Sequence, residues 1–124
     1  MNKTVRAGSN SDDAALAGQS LRQLADESGM AFEELLALWS SDTAKLIARA
    51  KVAMAAGNLT EAARLVHSAS GASGICNIAA LADELKTAEL LAKDGHRDAA
   101  TEALARAERR FMAINGALHG GTAP

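Results

Sequence analysis

Several residue types are nearly missing from this 124-residue chain, and each absence excludes something. A single cysteine, Cys76, rules out an internal disulfide and fits a reducing compartment. The only proline is Pro124, so no helix interior is broken by a missing N–H. Tyrosine is absent and aromatic residues make up only 2%, so a core must be built from the alanine and leucine that dominate the 48% apolar fraction. Neither sign of charge prevails: 13 Lys and Arg are interspersed with 15 Asp and Glu. That balance argues against an electrostatic nucleic-acid binder and against a polybasic membrane patch. No apolar run approaches the length of a bilayer span, and MNKTVRAGSNSDDAA has no secretory h-region. The expectation is a soluble cytoplasmic protein with neither nucleic acid nor membrane as a partner.

What is present is helical. Ala-rich, proline-free sequence with apolar residues at 3.6-residue spacing predicts an all-α protein. Residues 1–11 are polar and Gly/Ser-rich and read as a flexible tail. Ser11 or Asp12 is a candidate N-cap for a first helix, weakened by Gly18, with Leu16, Gln19, Ser20 and Leu24 at helical spacing. Gly29 breaks the chain. A long second helix, Met30 to Ala56, carries Phe32, Leu35, Leu36, Trp39, Thr43, Leu46, Ile47, Ala50, Ala53 and Met54 on one stripe and leaves Leu38 off it. Its length of about 40 Å is that of a bundle helix. Gly57 stops it, and Asn58 with Glu61 three residues later resembles a capping box. A third helix then runs from Leu59 to about Gly74. Asn77 is a candidate cap for a fourth, Ile78 to Lys93, with Leu81, Ala82, Leu85, Ala88 and Ala92 inward. Gly95 ends it, and a fifth runs from Arg97 to Leu118 with Ala100, Leu104, Ala107, Phe111 and Ile114 on one face. Short connections make neighbours antiparallel. The predicted fold is one domain, residues 12–118: an up-down antiparallel four-helix bundle with an additional short N-terminal helix, followed by a flexible tail, residues 119–124.

The third helix raises the functional question. In LVHSASGASGICNI, Leu65 to Ile78, a helical wheel places Leu65, Ala69, Ala72 and Cys76 on the packed side. His67 points the opposite way, with Thr60, Ala63, Arg64, Ser70, Gly71 and Gly74 around it. Each interior glycine costs about 0.8–1 kcal/mol of helix stability relative to alanine. A merely solvated face gains nothing from that loss, whereas open space beside an exposed imidazole admits a large partner. Cys76 lies opposite His67, so a shared metal site is poor geometry and a buried thiol is expected. His96 and His119 lie beside a turn and in the tail and carry no expected role.

These residues resemble the phosphorylation helix of histidine-containing phosphotransfer (HPt) domains of multistep two-component phosphorelays. That pattern has a His, a Lys three residues on, a Gly at the fourth, small residues after it and a Gly at the tenth. The chain keeps His67, Gly71, Ala72, Ser73 and Gly74. The turn glycines Gly57 and Gly95, and Leu81, Ala82 and Glu89, fall in the same frame without a gap, and FEELLALW looks like the second helix. The likeness spans about residues 14–118. The departures are Ser70 for the usual Lys, Asn77 for the later Gly, and Ala69 for a larger apolar residue. Glu89 matches by position, and the residues alone assign it no task.

The resemblance implies a phosphorelay carrier, not an independent enzyme. His67 would take a phosphoryl group from the aspartyl phosphate of a receiver domain and pass it to another receiver aspartate. A neutral imidazole nitrogen is a nucleophile that needs no separate base. Receiver domains of response regulators or hybrid kinases are the implied partners, and the monomer the implied state. No cofactor is expected on this chain; Mg²⁺ would belong to the receiver. In place of the missing lysine, Arg64 is a candidate cation and Ser70 a candidate donor to a phosphoryl oxygen. Gly71 and Gly74 complete the candidate surface for the phosphoryl group and the docking partner. The alternatives are a degenerate HPt-like adaptor that binds a receiver without carrying phosphate, and a purely structural bundle.

Overall fold

The computed structural model describes residues 9–120, with side chains from 12 to 119. Among the described residues there are five α-helices and no strand: α1 (Ser9–Ser28), α2 (Phe32–Ala55), α3 (Leu59–Ile75), α4 (Ala79–Lys93) and α5 (Arg97–Gly120). α3 packs between α2 and α4, α4 against α5, and α5 against α2. α1 lies mainly on α5 and also touches α2. None of these helices is long and apolar enough to cross a membrane.

Four junctions of three residues each join the helices, and they share one construction. Each holds a single residue in the left-handed region: Gly29, Gly57, Asn77 and Gly95, with φ of 71, 58 for the asparagine, and 80 and 81 for the latter two glycines. The residue after it returns its N–H to the carbonyl five positions earlier. Met30 reaches Ala25 at 2.9 Å, Asn58 reaches Ala53 at 2.9 Å, Ile78 reaches Ser73 at 2.8 Å and His96 reaches Leu91 at 2.9 Å. This is the Schellman closure, which satisfies helix-terminal carbonyls and turns the chain sharply. With turns this short, consecutive helices run antiparallel.

Asn77 therefore ends α3 and does not cap α4. The N-cap of α4 is Ile78, whose side chain makes no cap bond. A left-handed backbone crowds Cβ against the following carbonyl, and asparagine tolerates that better than other non-glycine residues. At α3 the expected cap is present: Asn58 Oδ1 accepts the Glu61 N–H at 3.3 Å. The reciprocal half of the box is absent, because the Glu61 carboxylate pairs with Arg64.

The first and last helices extend beyond their expected limits. α1 starts at Ser9, so Ser11 and Asp12 lie inside its first turn and are not caps. First-turn N–H groups have no intrahelical partner in any case, and Asp12 there complements the helix dipole. α5 continues through His119 to Gly120. Residues 1–8 and 121–124 of the two expected tails lie outside the described residues.

α1 is also rotated from its expected face. It buries Ala14, Ala17, Leu21 and Ala25, while Leu16 stays 60% exposed. Gly18 explains the choice: a Cβ built on it would stand 3.3 Å from Leu118 Cδ2 of α5. The small residues let α1 approach α5 closely, so the glycine is a contact surface. Arg110 of α5 fastens this arrangement, bonding Glu84 of α4 through Nε at 2.9 Å and Asp13 of α1 through its terminal nitrogen.

The core follows the predicted stripes. Leu35, Leu36, Trp39, Thr43, Ile47, Ala50, Ala53 and Met54 of α2 are buried, and Phe32 and Leu46 partly so. All five inward positions expected of α5 are buried. Alanine is the most frequent buried residue, so the few large side chains fully enclosed, such as Leu21, Leu65, Leu85 and Leu104, carry most of the burial energy. Each contributes about 1.5–3 kcal/mol. Trp39 ties three helices together: its Nε1–H donates to Ser73 Oγ at 3.3 Å, and its ring meets Phe111 edge-on at 5.3 Å.

The common turn construction makes a test. Asn77→Ala should lower stability by about 1 kcal/mol, whereas Asn77→Gly should keep or raise it. Urea unfolding midpoints measure both; a cap role for Asn77 would make the two substitutions equally damaging.

Candidate functional site: a histidine above a buried carboxylate

Because α3 is packed from both sides, its buried arc is wide. Ala62, Ala63, Leu65, Val66, Ala69 and Ser73 are all buried. Ala63 was expected on the outer face; it is covered because α4 packs closely there, Ala63 and Ala92 lining one surface depression. The strip left to solvent runs through Thr60, Arg64, His67, Gly71 and Gly74. His67 stands at its centre with 67% of its side chain exposed.

One edge of that imidazole is anchored. His67 Nδ1 lies 3.1 Å from Oε2 of Glu89, on the facing side of α4. An ionised carboxylate only accepts, so the bond assigns the ring proton to Nδ1. In the neutral ring Nε2 then carries the free lone pair, and no protein group bonds it among the described residues. The Glu89 side chain is 1% exposed. Burial raises its pKa, and this is the largest single influence; bonds from Lys93 and His67, with the charge of Lys86, together outweigh it and hold the carboxyl below its usual value of 4.5. Lys93 Nζ lies 3.0 Å from the same Oε2 that His67 contacts. Lys86 Nζ stands 3.9 Å from Oε1, which has no hydrogen-bond partner. Glu89, Lys86 and Lys93 thus form a buried anion flanked by two cations on successive turns of α4. Thr60, Arg64, His67, Glu89 and Lys93 line a depression on one side of the ring.

The side chains singled out from sequence divide. Arg64 lines that depression, but its guanidinium is held by Glu61 through two bonds of 2.9 and 2.6 Å. Ser70 is partly buried, and its hydroxyl donates to the Ala82 carbonyl of α4 at 3.0 Å, so it already has an acceptor. Gly71 and Gly74 are exposed, and a Cβ on either would meet nothing within 4 Å. Packing therefore does not require glycine at these positions. Ile75 beyond them is 76% exposed. Cys76 is buried as expected, and burial pushes its thiol pKa up, which makes it a poor nucleophile. Among the described residues, no group of three or more His, Cys, Asp or Glu side chains is placed to hold a metal ion.

The role of Glu89, and both lysines, were missed in the sequence. A signal existed. Glu89 lies four residues after Leu85 and three before Ala92, on the apolar face of α4, and a carboxylate there needs partners. Lys86 and Lys93 stand at the i−3 and i+4 positions that supply them.

No family model, no curated protein and no solved structure matches the chain.

Two outcomes follow from this geometry. Gly71→Ala should raise unfolding free energy by about 0.8–1 kcal/mol, since it adds helix propensity and meets no neighbour. A loss in chemical denaturation would show a hidden contact. For Glu89 the depressed pKa means that its ionisation stabilises the fold above 4.5, and this contribution disappears as pH falls through the lower folded-state value. The native protein should therefore lose stability below pH 4.5 more steeply than Glu89→Gln, which has no such titration. Parallel acid-unfolding curves for the two would contradict it.

Proposed function

We propose that this chain is a phosphoryl carrier of the HPt kind, accepting the group on His67 from a receiver-domain aspartyl phosphate and passing it to another receiver aspartate. The observation that carries this is the imidazole itself: exposed, held at Nδ1 by a buried carboxylate, and open at Nε2 beside two glycines that packing does not demand.

The chemistry is balanced without a further base on this chain. The Nε2 lone pair forms the P–N bond as the P–O bond to the aspartyl oxygen breaks, and the aspartate departs as a carboxylate. The Nδ1 proton stays on the bond to Glu89, whose negative charge offsets the positive charge that develops on the ring. Return transfer reverses each step. Glu89 is a positioning residue: it fixes the tautomer and the ring orientation, as the carboxylate of a Ser-His-Asp triad does. Transfer of this type depends on alignment and charge stabilisation more than on covalent assistance. The Mg²⁺ and the acidic cluster that transfer needs are assigned to the receiver. Gly71 and Gly74 leave room for that domain to approach the ring and the α3 backbone.

The test is transfer from isolated, phosphorylated receiver domains, followed by label on the chain. His67→Gln should abolish uptake with helix content unchanged. Label retained by that variant would move the site elsewhere. A receiver bound without any transfer to the native protein would replace the carrier by an adaptor.

A further inference from the structure

The lysine that the HPt likeness expects three residues after the histidine is Ser70 here, and the hydroxyl of Ser70 is bonded to α4. Arg64, the other cation on α3, is neutralised by Glu61. A phosphoryl group on His67 adds about −1.5 to −2 charge, so the site needs a cation from some other element. α4 presents two ammonium groups around one carboxylate, Lys86 at Oε1 and Lys93 at Oε2. One of them suffices to neutralise Glu89, which leaves a unit positive charge in surplus.

The two lysines are not equivalent. Lys93 shares its carboxylate oxygen with His67 Nδ1, so a single atom separates its ammonium from the ring, and it lines the depression beside the imidazole. Lys86 is on the opposite side of Glu89, beyond hydrogen-bond reach of an oxygen that has no other partner. Both side chains are more than half exposed, on flexible four-carbon stems that can reorient.

We propose that Lys93 is the catalytic cation of this site: it leaves Glu89 to bind the phosphoryl oxygens on His67 while Lys86 closes on the vacated carboxylate. The charge that the family likeness places on the phosphorylated helix is thereby supplied from the helix facing it. This rests on the carrier function proposed above and adds the residue that stabilises the transferred group.

The experiment compares transfer rates from a phosphorylated receiver and the half-life of the phosphohistidine across variants whose folding is checked by thermal unfolding. Lys93→Met should slow uptake about tenfold, as expected for loss of one partly solvated charge on a transferring phosphoryl group. Lys93→Arg should stay within about threefold of native, because the charge is kept. Ser70→Lys in the Lys93→Met background should restore most of the rate, since it returns a cation to the other side of the ring. Lys86→Met should slow uptake less than Lys93→Met. Native-rate uptake by Lys93→Met would overturn the proposal and leave the carrier function standing. Equal losses in the two Met variants, without rescue by Ser70→Lys, would also overturn it, because both lysines would then serve only to neutralise Glu89. If the native protein takes no label from any receiver, the carrier function itself falls and this role falls with it.

Discussion

The site depends on one buried charge. Glu89 lies in the interface between α3 and α4 with almost none of its side chain in water. Moving a carboxylate there costs several kcal/mol before partners are counted. Its charge is met by an imidazole from α3 and two lysines from its own helix. An exposed histidine on an isolated helix would sample several rotamers. Here the carboxylate selects one, fixes the tautomer and leaves one nitrogen facing solvent. The imidazole is thus oriented by the same contact that partners a buried charge, so the packing of α3 on α4 and the setting of the ring cannot be varied independently at that position.

The turn between α3 and α4 makes this contact possible. His67 lies ten residues before Asn77, and Glu89 twelve after it. At 1.5 Å per residue these separations are about 15 and about 18 Å along antiparallel helices, so the two side chains stand at nearly one level. A turn of different length would displace Glu89 along α3 and pair it with another level of that helix. Asn77 keeps the junction at three residues by accepting a left-handed backbone, as glycine does in the other three. Asparagine at this position therefore adopts the conformation that the register requires.

Much of the fold was legible in the sequence because helix periodicity and turn residues report backbone directly. The stripes of α2 and α5 and the stops at Gly29, Gly57 and Gly95 needed no tertiary information. α1 was harder. Its face is set by how closely small residues let it approach α5, and Leu16 outweighs Ala17 on any hydropathy count although only Ala17 is buried. Ala63 was misplaced for a related reason: a wheel assigns a helix one inward side, and α3 has packed neighbours on two. On α3, the outward placement of His67, Gly71 and Gly74 could be read from helical spacing. Glu89 could not be given a task, because periodicity weights apolar positions and passes over a charge on the same face. Its partners become evident only once two helices are set side by side.

The outer strip of α3 is divided at His67 into two unlike surfaces. Toward the start of the helix the ring is bordered by Arg64 with its Glu61, and by Lys93 across the groove. Toward the end it is bordered by Gly71 and Gly74, with the exposed Ile75 beyond. A contact made on the glycine side would touch backbone and an apolar side chain and displace no ion pair, at little desolvation cost. On the charged side, the Arg64–Glu61 pair and Lys93 keep much of their surface in water. Ser70 belongs to neither surface, since it is turned toward α4 and bonded to Ala82. A lysine in its place would have to forgo that bond and lean across the open side to reach the ring. With Ser70 bonded to α4 and both lysines carried by that helix, the glycine side of the ring stays clear.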